Sequence, residues 1–109
     1  ARRASRLTGG GMLYVILFED DPTKLAVREA QMQAHIEWLD ERRDQVLVAG
    51  SLREGAGATP SGGLWIVDVN DRAAAEALYK TDPFWTAGLR QSVTVKYWSK
   101  AFPDRKVKV

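Results

Sequence analysis

Apolar and polar positions alternate in three distinct ways along the chain. Met12 to Phe18 is an unbroken apolar run rich in strand-forming residues, stopped by Glu19-Asp20-Asp21-Pro22. A short apolar run closed by acids and proline predicts a central strand buried on both faces. From Thr23 to about Arg43 the period becomes helical. Leu25, Met32, Ile36 and Leu39 fall on one stripe that also holds Arg28 and His35. Asp21 or Thr23 is placed to cap that helix, and Arg42 and Arg43 suit its C-terminal dipole. Val46 to Leu52 predicts a second strand, weakened at Gly50. The small residues from Gly55 to Gly63 read as a long hairpin connection into a third strand, Leu64 to Val69. Asp71 caps a second helix from Arg72 to about Lys80. Thr81-Asp82-Pro83-Phe84 breaks it, with Asp82 and Pro83 in the right order to open a new turn. Val93 to Trp98 is the fourth strand, and a basic tail follows.

The order β-α-β-β-α-β predicts an α+β fold, the ferredoxin-like plait. Two right-handed crossovers on one sheet give four antiparallel strands with both helices on one face. The other face needs a cover, and no further helix is present to supply it. A face-to-face homodimer is therefore expected.

Composition narrows the functional classes. The 16 Lys+Arg and 14 Asp+Glu give a formal charge of +2, but Arg2, Arg3 and Arg6 lie in the first eleven residues, which hold no acid. Without those three, 13 basic and 14 acidic residues remain, a net charge of −1. A nucleic-acid-binding domain carries its charge on the folded body, so neither nucleic acid nor a membrane surface is an expected partner. Residues 1–11, ending in three glycines, are expected to be a disordered arm or a cloning remnant. The domain then spans residues 12–102 and a basic tail spans 103–109. No apolar run approaches the ~20 residues of a membrane span, and the start of the chain lacks the apolar core of a signal peptide. A cytoplasmic location is expected. The absence of cysteine removes disulfides, thiolate nucleophiles and zinc–thiolate or iron–sulfur sites. With one histidine, no transition-metal cluster is expected. No phosphate-binding glycine motif or nucleophile elbow is present, so no cofactor is expected.

His35 is the only histidine. Two roles fit its place on the apolar side of the first helix. One is a buried side chain satisfied by a single hydrogen bond; the other is a general acid/base. An acid/base histidine needs an orienting carboxylate, and Asp82 is the candidate. In the plait both helices run against the central strands, so the later half of the first and the end of the second reach the same end of the sheet. Asp82 can also be a helix cap, and the two roles are compatible. Weaker candidates for contacting a substrate are Ser51, Arg28, Trp85 and Tyr14. Each has a plain alternative: a turn serine, a solvated or paired arginine, and core or dimer aromatics.

The segments Ala34-His35-Ile36-Glu37-Trp38-Leu39 and Val46 to Leu52 resemble the central signature of the YCII-related domain family. Asp82-Pro83-Phe84-Trp85-Thr86-Ala87-Gly88-Leu89 and Val93 to Trp98 resemble its second signature, and Met12 to Ile16 fits its opening. The resemblance covers residues 12–102. It implies a dimeric ferredoxin-like fold and an enzymatic site at His35 and Asp82. Its relatives include a dehydrochlorinase of chlorinated-aromatic breakdown, and muconolactone isomerases share the wider fold. Members often carry an arginine one turn before the histidine. Here those places hold Gln31 and Met32, and the nearest arginine is Arg28. The expected function is cofactor-independent acid/base chemistry on a small metabolite: elimination, isomerisation or tautomerisation. The competing reading is a non-catalytic ligand-binding or structural dimer module.

Overall fold

Side chains alternate in and out along the first strand, and this decides which way the sheet faces. In the computed structural model, which describes residues 11–106, strand β1 (Met12–Asp20) buries Tyr14, Ile16, Phe18 and Asp20. On its other face Leu13 and Val15 are half-buried and Leu17 is exposed. The expectation of a strand buried on both faces is thus corrected for the single chain. Both long helices pack on the inner face, so only every second residue of β1 is covered. Residues 1–10 of the expected arm and the last three of the tail lie outside the described residues.

After β1 come a 3-10 turn (Pro22–Lys24), helix α1 (Leu25–Glu41), β2 (Val46–Leu52), β3 (Gly62–Val69), α2 (Arg72–Tyr79), the short α3 (Pro83–Thr86) and β4 (Arg90–Tyr97). The sheet order is β2-β3-β1-β4 and every neighbouring pair is antiparallel. This is the ferredoxin-like plait. Ile16, Trp65, Val67 and Val69 are almost fully buried between sheet and helices. Phe18 meets Trp65 and Tyr79 edge-on, at 4.9 and 5.7 Å between ring centroids.

Three boundaries differ from the sequence-based ones, and each matters for the site. Strand β1 runs two residues further, to Asp20, across an irregularity in its pairing with β4 at Glu19/Asp20. Strand β3 begins at Gly62, where an added Cβ would lie 2.1 Å from the Phe18 carbonyl oxygen. Strand β4 begins at Arg90, three residues before its apolar alternation. Helix α1 also presents a different face. His35 and Trp38 are its buried residues, while Leu25, Met32 and Ile36 are exposed. Of the expected stripe, His35 is buried, Arg28 is held to Asp20 and Leu39 packs on the core, so the inward face is shifted toward Trp38.

Candidate functional site

Two buried groups, a His–Asp hydrogen bond and an Arg–Asp–Arg ion pair, meet where α1, α3 and the start of β4 converge. Asp82 is the N-cap of α3, and its Oδ1 accepts from the Phe84 backbone N–H at 3.3 Å. The same oxygen lies 2.7 Å from His35 Nδ1. The Asp82 side chain is 1% exposed and that of His35 is 9% exposed, so the bond is shielded from water. A carboxylate only accepts. Nδ1 therefore donates, and Nε2 is the remaining ring nitrogen. The imidazole also stacks on Phe84 at 3.8 Å and 12°. One tripeptide, Asp82-Pro83-Phe84, thus supplies the carboxylate, the turn and the aromatic plate that fix the ring.

The second group is a shared carboxylate. Asp20 Oδ1 accepts from Arg90 Nη1 at 2.8 Å and Oδ2 from Arg28 Nη2 at 2.5 Å. Arg28 also reaches the Gly62 carbonyl at 3.3 Å. The Arg90 side chain is 2% exposed. Burial lowers its pKa from the ordinary arginine value, and the Asp20 hydrogen bond and charge oppose that shift. Both guanidiniums lie 5.2 Å from the Phe84 ring centroid, and Arg90 is 4.3 Å from that of Phe18. Gly63 makes room for this: an added Cβ would stand 3.3 Å from Arg90 Nη2 and 3.2 Å from the Gly50 carbonyl.

A cavity of about 210 Å³ opens beside these groups, with His35, Arg28, Arg90 and Ser51 in its wall. Met32, Ile36 and Leu39 of α1 also line it, which accounts for the exposed apolar stripe. The Ser51 hydroxyl accepts from Arg53 Nη2 at 2.7 Å. Tyr14 and Trp85 lie elsewhere. Tyr14 packs edge-on to Tyr97 at 5.5 Å on the inner sheet face, and Trp85 packs on Tyr79 at 4.7 Å. Of the candidates expected to contact a substrate, these two do not line this cavity; both pack against other aromatics. Sequence reasoning missed Arg90 and Asp20. Asp20 sits in an acidic run that reads as a turn, and Arg90 precedes any strand period, so neither carries a local signal. No group of three or more His, Cys, Asp or Glu suited to a metal ion occurs among the described residues. No helix among them is long and apolar enough to cross a membrane.

The model of the YCII-related domain matches residues 12–99. No curated protein matches. Among solved structures, the 5-chloro-2-hydroxyhydroquinone dehydrochlorinase from Burkholderia phenoliruptrix AC1100, in complex with 2,5-dihydroxybenzoquinone, is 28% identical. The match has a TM-score of 0.73 and covers 81% of this chain and 94% of that one. An antibiotic biosynthesis monooxygenase-like protein from Bacteriodes thetaiotaomicron VPI-5482 is 21% identical, with a TM-score of 0.57, covering 91% of this chain and 97% of the other. The latter likeness concerns the fold alone.

Proposed function

This chain belongs to the YCII-related domain family, and from that premise we propose that it is a small cofactor-independent enzyme whose His35 moves a proton on a small metabolite. The observation that carries the reading is the 2.7 Å His35–Asp82 bond beside a cavity that His35 lines. A neutral imidazole that donates through Nδ1 keeps a lone pair on Nε2. That nitrogen takes a proton from the substrate, and Asp82 stabilises the imidazolium until the proton is returned. The carboxylate also holds the ring plane, so little reorganisation is needed between the two states.

Elimination, isomerisation or tautomerisation suits one acid/base pair. Hydrolysis through a covalent intermediate would need a nucleophile, and Ser51, the hydroxyl in the wall, is tied to Arg53 rather than to His35. The dehydrochlorinase relative acts on a hydroxylated ring, and a cavity of about 210 Å³ has room for one: an apolar cavity of about 150 Å³ accommodates benzene.

The test is chloride release from 5-chloro-2-hydroxyhydroquinone, followed by a wider panel of enolisable ring compounds. His35→Gln is expected to lower turnover by about 10²–10⁴-fold, the usual worth of such proton transfer. Full turnover by His35→Gln on any substrate that the unaltered protein converts would overturn the reading.

The homodimer belongs to the same proposal. On the open sheet face Val15 stands opposite Ile66, Leu17 opposite Leu64, and Val48 beside Ile66. These apolar side chains are half-buried or exposed, and a second copy placed face to face would remove them from water.

A further inference from the structure

The charged groups around the cavity are sorted by sign. Its wall contains three arginines, Arg28, Arg53 and Arg90, and no carboxylate. Asp20 offsets one of these charges from outside that wall, shared between Arg28 and Arg90. Asp20 spends its two oxygens on one nitrogen from each of two guanidiniums. Arg28 Nη1 and Arg90 Nη2 keep no protein partner among the described residues, and the Nε of each is buried and equally unpartnered. Phe84 ties the set together: His35 stacks on its ring and both guanidiniums lie 5.2 Å from its centroid. His35, Arg28 and Arg90 all line the same cavity, so one small ligand in it would meet all three. Trp65 and Ile36 supply apolar wall.

We propose that the cavity selects ligands with an apolar ring and one anionic oxygen group, a carboxylate, enolate or phenolate. Arg90 and Arg28 hold the anion, and Asp20 is the positioning residue that aligns the two. This rests on the function proposed above and names its substrate class. An anion seated between arginines is also a stabilised conjugate base, since a cation beside the developing negative charge lowers the cost of removing a proton. Asp20 matters because a flexible arginine held at one nitrogen loses less freedom when its other nitrogens engage a ligand.

The test uses two probes of nearly equal shape and different charge, benzoate and benzamide, titrated at pH 7 against the full chain. Binding is followed at the Trp65 indole N–H and the His35 ring nitrogens by NMR. Benzoate is expected to bind at least tenfold more tightly than benzamide. Arg90→Met and Arg28→Met each bring that ratio down at least fivefold, and Arg90→Lys recovers part of it. Asp20→Asn lowers the ratio as well, whereas a merely structural Asp20 would weaken both probes alike. If the Arg90 variants do not fold, the ratio in the unaltered chain and in Arg28→Met still decides. Equal affinities, no binding of either probe, or a ratio that survives both Met substitutions would overturn the proposal. His35→Gln separates this result from the catalytic one: it lowers turnover by about 10²–10⁴-fold and leaves the preference for benzoate in place.

Discussion

Gly62 and Gly63 leave less room for a side chain than Gly50, Gly55, Gly57 or Gly88, and they constrain the fold in different ways. At Gly63 an added methyl would press on the Arg90 guanidinium and the Gly50 carbonyl. Gly63→Ala is expected to cost about 1–3 kcal/mol, the range for overpacking, and to displace Arg90 from Asp20. At Gly62 the obstacle is the Phe18 carbonyl oxygen at 2.1 Å, part of a paired strand that cannot swing aside. Gly62→Ala is therefore expected to be the more destabilising of the two. Urea midpoints of the two variants check the order. At this scale the sequence is legible where chemistry is rare. One histidine and the Asp82-Pro83 turn after the second helix are enough to propose the pair, and the two side chains stand 2.7 Å apart. The Arg28–Asp20–Arg90 group was not legible. Its members are ordinary charged residues whose partnership spans 70 positions between Asp20 and Arg90, and a buried ion pair leaves no periodic trace.

At the scale of elements, Asp71 caps α2 as expected, whereas α1 begins after Lys24 with no side-chain cap because the expected Asp21 cap serves the preceding 3-10 turn. Asp71 Oδ1 accepts from Ala74 N at 2.8 Å and opens α2. Asp71→Ala is expected to destabilise the fold by about 1 kcal/mol, read from thermal or urea unfolding. Asp21 caps the 3-10 turn, accepting from the Thr23 hydroxyl at 2.7 Å and from its N–H at 2.9 Å. The Thr23 hydroxyl and then its N–H hold the Asp21 carboxyl below its ordinary value of 3.8. A depressed carboxyl favours the folded state above its unfolded pKa and loses that contribution as pH falls through the folded value. The difference between the parent and Asp21→Ala should therefore shrink below about pH 4. Helix α1 shows why period alone misplaces a face. Within the expected stripe the inward members are the polar Arg28 and His35, with Trp38 beside them, while the apolar Leu25, Met32 and Ile36 are exposed. In fact Met32, Ile36 and Leu39 form the mouth of the cavity. Strand starts at Gly62 and Arg90 were hidden for a related reason: neither residue type favours a strand, and both are placed by long-range pairing and the site.

At the scale of the whole molecule, one sheet face is filled and the other is open. The topology was legible from the order of elements, because right-handed crossovers leave few alternatives. The open face follows from it. If a second copy covers that face, sedimentation at micromolar concentration should show a dimer, and Ile66→Lys, placed opposite Val15, should shift it to monomer while leaving the helices formed. A parent chain that sediments only as a monomer would contradict this. The site has its own whole-molecule logic. The carboxylates Asp20 and Asp82 lie outside the cavity wall, and His35, Arg28 and Arg90 lie in it, which suits a proton acceptor beside an anion-holding wall. The most direct measurement is ¹⁵N NMR of the His35 ring with and without 2,5-dihydroxybenzoquinone. The account predicts an Nδ1 that keeps its proton toward Asp82 in both states, and an Nε2 whose resonance shifts when the ligand is added. A ring whose Nε2 does not respond to the ligand would make the His35–Asp82 bond a structural one, and the proton-transfer reading would fall.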